Sequence, residues 1–198
     1  MPDLRVRPQP RDESGAVLDI TPESAGWTYV GFKVITLDAG ESTVGGEAGR
    51  EACLIVLSGK CDVEVAGQRF ENIGERMSVF EDISPAAVYA PAGATYVITA
   101  RTKLELAIGA APGESGGEAR LIAPEAISKE TRGAGTNTRY VRNILPESEI
   151  AESLLIAEVI TPGGNWSSYP PRKHGRLAPP EESSLEEVYD HRLNPGQG

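Results

Sequence analysis

Hydrophobic residues in this chain come in short bursts. Cys61 to Val65 (CDVEV) and Leu104 to Ile108 (LELAI) alternate apolar and polar positions. That is the period of a strand with one buried face. Trp27 to Leu37 (WTYVGFKVITL) mixes aromatic and β-branched residues, and Ala52 to Leu57 (ACLIVL), Ala87 to Ala90 (AVYA) and Tyr96 to Thr99 (YVIT) are short apolar runs. Turn residues separate them, at Ala66-Gly67 and at Pro91-Ala92-Gly93. Further along, Arg139 to Leu145 and Ser153 to Thr161 (SLLIAEVIT) again read as strands. No stretch sustains a helical period between caps. The best helical candidates, Pro146 to Ala151 and Pro180 to Glu187, are short and acidic. The pattern predicts an all-β chain built as a barrel or sandwich.

The punctuation also divides the chain. Residues 1–14 read as an N-terminal arm, 15–111 as a first β-barrel, 112–137 as a glycine-rich linker and 138–198 as a second, smaller β unit. Glycine (22) and proline (15) are frequent throughout, which favours many short elements.

Charge narrows the partners. The formal net charge of −10 disfavours nucleic acid, whose phosphates need cations to displace counterions, and an anionic membrane surface. A small anionic substrate stays open, because a pocket can be locally basic. The two cysteines, Cys53 and Cys61, sit in apolar stretches and read as buried thiols; a disulfide would require their strands to pair. The opening MPDLRVRPQPRDES has no apolar core of a signal peptide, and no apolar run is long enough to span a bilayer. The expected setting is reducing and cytoplasmic.

Histidine is the scarce resource. There are only two, His174 and His191, and the first barrel has none. An imidazole-based site is therefore expected in the second unit only. There, Pro170-Pro171 stiffens the chain before Lys173-His174, and Glu186-Glu187 opens a strand-like Glu-Val-Tyr run. A His on one strand and a Glu on the next can converge on a divalent cation. On spacing alone the same groups read rather as solvated charges on a loop. His191 reads as a surface residue.

Several segments in one order carry a specific resemblance: Gly26–Phe32 (GWTYVGF), Leu57–Gly59 (LSG), Gly67–Asn72 (GQRFEN), Ser78–Glu81 (SVFE), Thr131–Gly133 (TRG), Arg142–Pro146 (RNILP), Thr161–Pro171 (TPGGNWSSYPP) and Leu185–Tyr189 (LEEVY). The chain resembles the 5-deoxy-glucuronate isomerase family of inositol breakdown, which is close to 4-deoxy-L-threo-5-hexosulose-uronate ketol-isomerase of pectin breakdown. The resemblance implies a bicupin, with no metal in the first barrel and a divalent metal (zinc, manganese or iron) in the second. Tyr96, just after the Pro91-Ala92-Gly93 turn, stands where cupin barrels often carry a ligand His.

Carried over by position, His174 and Glu187 match two metal ligands of the family, while Arg172 occupies the place of a third. A guanidinium is always charged and has no lone pair to donate. The family pattern continues beyond Gly198, so the last ligand is lacking and the second barrel is expected to be incomplete, with metal held weakly or not at all. Unpaired strand edges would then invite pairing with another chain, a homo-oligomer included. The implied substrate is a small sugar acid. Arg139, Arg142 and Lys173 are candidates to hold its carboxylate. Catalytic residues are not assigned, although Glu186 is a candidate acid–base group. The alternative readings are an inactive remnant and a non-catalytic, sugar-acid-binding cupin.

Overall fold

Among the described residues the chain forms thirteen antiparallel-paired strands: β1 (Ala16–Ile20), β2 (Gly31–Leu37), β3 (Ser42–Gly45), β4 (Arg50–Ser58), β5 (Cys61–Val65), β6 (Gln68–Ile73), β7 (Ala87–Ala90), β8 (Tyr96–Ala100), β9 (Leu104–Pro112), β10 (Arg120–Ile122), β11 (Ser128–Arg132), β12 (Arg139–Leu145) and β13 (Ile156–Ile160). This computed structural model describes residues 5–114, 117–167, 177–178 and 184–196. The one α-helix among them, α1 (Pro22–Ala25), is a single turn. Thr21 and Ser24 cap it reciprocally, and Gly26 ends it at φ 70°.

Two sheets form the first barrel. One has six strands in the order β1-β2-β9-β4-β7-β10, and the other has four in the order β3-β8-β5-β6. Their inner faces enclose a core that includes Ile35, Leu54, Val56, Val63, Val88, Ile98 and Leu106. The expected all-β, cupin-type fold is therefore present.

The outer face of the six-stranded sheet is buried as well. Cys53, Ile55, Ala87, Tyr89 and Ala107 pack there with Ile122, Ile127, Ile144, Leu145 and Leu154 of the chain that follows. This explains why β4 is an unbroken apolar run while β5 alternates: β4 is covered on both faces and β5 on one. The chain after the barrel adds a three-stranded sheet, β11-β12-β13.

Some expectations need revision. Residues 112–137 are more than a linker. They hold β10, which pairs with β7 at the edge of the barrel sheet, and β11, which pairs with β12. Pro146 to Ala151 is not helical, and its backbone turns instead, with Glu149 N donating to Pro146 O at 2.9 Å. Of the second helical candidate, Ser184 to Glu187 has no regular structure and residues 180–183 lie outside the described residues. The Glu-Val-Tyr run is likewise not a strand.

The cysteines are free and buried. They lie on β4 and β5, which belong to different sheets, so pairing does not bring them together. Burial pushes each thiol up to about 12, which leaves them as inert packing groups.

Candidate functional site

The cationic candidates Arg139 and Arg142 sit on β12, three residues apart. Arg139 is 7% exposed and donates from Nη1 to Asn137 O at 3.2 Å and to Asn137 Oδ1 at 2.9 Å. Arg142 is 2% exposed. Its Nη1 donates to Glu158 Oε1 at 2.6 Å and to Ile83 O at 3.0 Å, and its Nη2 donates to Asp82 Oδ1 at 2.7 Å. Glu158 faces it directly across the β12–β13 ladder. Arg76 completes the group: its Nη1 and Nη2 reach the two oxygens of Glu158 at 3.0 and 2.6 Å, and its Nε donates to Leu57 O at 2.9 Å. Arg142 is thus part of a buried ionic cluster that ties β13 and β12 to the barrel. A substrate carboxylate would have to displace Glu158 and Asp82 to reach it.

The stretch from Asn165 to Asn194, which holds both histidines, docks at both of its described ends. Asn165 Nδ2 donates to Thr138 O at 2.9 Å, and Trp166 N donates to Thr136 O at 2.7 Å, while the indole stays exposed. In the later segment the two adjacent glutamates behave differently. Glu186 is captured by the barrel: its carboxylate accepts from the backbone amides of Thr28, Tyr29 and Val30 at 2.8, 2.7 and 2.9 Å. Three converging amides form an anion cradle. Glu187 points elsewhere, is exposed, and accepts from the Tyr189 hydroxyl at 2.8 Å. His191 is exposed and stacks on Tyr189 with ring centroids 6.0 Å apart. Arg192 Nη1 then reaches Glu105 of β9 at 2.8 Å, fastening the segment a second time.

Glu186 therefore works as an anchor. Burial alone would raise its pKa, but the amides of Thr28, Val30 and Tyr29 outweigh that and hold it below the ordinary value. A folded-state pKa that is depressed stabilises the fold above the unfolded-state pKa, about 4.3 for Glu. The gain is lost as pH falls through the folded value. The stability advantage of the native chain over Glu186→Gln is thus expected to be full near neutral pH and to shrink progressively below about pH 4. Thermal melts of both proteins across acidic pH measure it, and a gap that stays constant down to strong acid contradicts the anchor.

His174, Lys173 and Arg172 lie outside the described residues. Among the described residues no group of three His, Cys, Asp or Glu side chains converges as a metal site. Glu187 is the one matched ligand that is described. A single exposed carboxylate, already engaged by Tyr189, does not fit a metal centre by itself.

Sequence reasoning passed over Arg76, Asp82 and Glu158. One signal was available: Glu158 shares the period-two face of Ile156 and Ile160 on β13, where a carboxylate needs a buried partner.

Comparison with known proteins agrees with the sequence resemblance. The model of the KduI/IolB family matches residues 4–198. The chain is 51% identical over 187 residues to a 5-deoxy-glucuronate isomerase of Geobacillus thermodenitrificans, covering 94% of this chain and 68% of the relative. It is 42% identical over 199 residues to the 5-deoxy-glucuronate isomerase of Bacillus subtilis, covering 98% and 73%. A crystal structure of an IolB-like protein from Salmonella typhimurium superposes with a TM-score of 0.84 at 44% identity, covering 87% of this chain and 66% of that one. The chain thus spans about two thirds of the length of these relatives. The resemblance of segments from Gly26 to Tyr189, the paired sheets of the barrel and these matches converge on one statement: the chain belongs to the KduI/IolB family, and its named relatives are 5-deoxy-glucuronate isomerases.

Proposed function

We propose that the protein is an aldose–ketose isomerase that converts 5-deoxy-D-glucuronate to 2-deoxy-5-keto-D-gluconate in inositol breakdown. The observation that carries this reading is the family match over residues 4–198, with 51% identity to a 5-deoxy-glucuronate isomerase. The reaction moves a proton between adjacent carbons through an enediolate, so it needs a held carboxylate and a poised acid–base group. Lys173 and Arg139 are the cations proposed to hold the substrate carboxylate. Arg142, already neutralised by Glu158 and Asp82, contributes by fixing β12.

His174 and Glu187 are the proposed ligands of a divalent metal, which when bound would polarise the carbonyl. Arg172 in a ligand's place weakens that shell. The two free thiols favour a reducing, cytoplasmic setting.

The experiment is turnover of 5-deoxy-D-glucuronate by purified protein, followed by NMR, together with metal analysis. Turnover is expected, with His174→Ala and Glu187→Gln each losing at least on the order of 10-fold, the loss known for even the outer partners of a metal ligand. No turnover by folded protein rejects the isomerase. Arg172 in the place of a ligand supports one other reading, a sugar-acid-binding cupin without catalysis. Stabilisation by 5-deoxy-D-glucuronate without turnover would identify it.

A further inference from the structure

The mouth of the first barrel opens onto a cavity of about 310 Å³, lined from β1, β2, β4, β7 and β9 and by Tyr96 of β8. That volume is at the lower end of the ~300–1,000 Å³ typical of small-molecule sites. The proposed isomerase chemistry uses none of it.

Tyr96 supplies the polar group of the cavity. It is 7% exposed, and among the described residues its hydroxyl makes no hydrogen bond. The hydroxyl is not sealed off, since Ser84 Oγ is the one wholly buried, unpartnered side-chain polar atom among the described residues, so it is open to a ligand. The ring is fitted into its place by Gly45, which also lines the cavity: a Cβ on Gly45 would lie 2.5 Å from the Tyr96 hydroxyl. Burial first, and then the charges of Asp19 and Glu47, push the phenol up to about 12, so it keeps its proton and can donate.

The remaining polar groups at the rim are matched among themselves. Lys33 pairs with Asp19 at 2.9 Å, and Arg50 pairs with Glu47 at 3.4 Å while donating to Tyr29 O and Ala110 O. Between rim and phenol the wall is apolar, with Ala52, Ala90 and Ile108. An anion would meet three lining carboxylates (Asp19, Glu23, Glu47) against two cations (Lys33, Arg50), the Glu51 carboxylate being turned to the other face of the sheet. A cation would have to compete with Lys33 and Arg50 for Asp19 and Glu47. A neutral ring with hydroxyl groups meets neither obstacle. Its C–H face suits the apolar wall, and its hydroxyls can both accept from Tyr96 and donate to the spare lone pairs of the rim carboxylates.

We propose that this cavity is a second ligand site, one that binds an uncharged polyhydroxylated molecule of monosaccharide size through the Tyr96 hydroxyl. The site is independent of the second unit.

Saturation-transfer NMR and calorimetry on the full chain test it, with D-glucose and D-galactose as neutral probes, D-glucuronate as the anion and D-glucosamine as the cation. Saturable binding of at least one neutral hexose is expected. Tyr96→Phe should keep the melting temperature and weaken that binding roughly five-fold, the worth of one neutral hydrogen bond. Ala94→Trp, which fills the mouth, should abolish it. Binding should survive chelator treatment and resist competition by 5-deoxy-D-glucuronate, which separates this site from the isomerase reading. The proposal is overturned by lack of saturation with both neutral hexoses up to tens of millimolar. It is equally overturned by binding that Tyr96→Phe leaves unchanged, or by preference for either charged sugar.

Discussion

Glu158→Ala is expected to destabilise the protein by about 3–5 kcal/mol, the cost of leaving buried charge without its partner. Arg76 and Arg142 are 1% and 2% exposed, and Glu158 is the carboxylate that both of them share. Its removal strands two guanidiniums. The carbonyls of Leu57 and Ile83 would still accept from them but carry no charge. Asp82 cannot substitute, because it is 94% exposed on its side-chain surface and screened by water. Asp82→Asn should accordingly cost no more than about 1 kcal/mol, as exposed partners do. Urea denaturation of the three proteins gives the comparison. For a chain of this size the larger loss corresponds to a fall in melting temperature on the order of 10 °C. Equal, small losses in both variants would show that the arginines are solvated and that the cluster does not hold β13 to the barrel.

That cluster also marks where the sequence was readable and where it was not. The strands with a buried face announced themselves. The alternation of CDVEV gives β5 at its observed bounds, and ACLIVL gives most of β4. Of the strands that were overlooked, β11 and β6 have little or no apolar stripe. All five residues of β11 (SKETR) are exposed, and β6 (QRFENI) buries only Ile73. Such strands are made by their neighbours' hydrogen bonds, to β12 and β5, and local composition says nothing of a partner. Long-range polar contacts were equally silent. Nothing beside Glu186 in the chain indicates that amides at residues 28–30 will capture it. Arg142 read as a candidate to hold the substrate carboxylate because its partners, Asp82 and Glu158, are 60 and 16 positions away. The family resemblance was legible for the opposite reason: each segment that carries it, such as Thr161–Pro171, is a contiguous string, and recognising it requires no knowledge of the fold.

The second large effect is expected at Glu51, where Glu51→Ala should cost about 3–5 kcal/mol. Glu51 is fully buried on β4. Its Oε1 accepts from the amides of Ser153 and Leu154 at 2.6 and 2.8 Å, and its Oε2 accepts from the amide of Glu152 at 2.9 Å and the Tyr89 hydroxyl at 2.6 Å. One side chain thus satisfies four donors and fastens the turn before β13 to the barrel. Alanine leaves those donors unpaired, and the Leu154 bond lies in fully buried surroundings where water cannot readily replace it. Glu51→Gln retains the volume but turns an amide donor toward donors already there, so it should recover only part of the loss. The neighbouring contacts persist in both variants: Arg120 over the Tyr89 ring at 4.4 Å, and Arg120 Nη2 to Ile150 O at 2.6 Å. The damage should therefore be local as well as global. Hydrogen exchange at the amides of residues 152–154 should accelerate more than exchange within β5 and β8. If Glu51→Ala melts within about 1 kcal/mol of the native chain and those amides stay protected, the carboxylate is not what joins the two units.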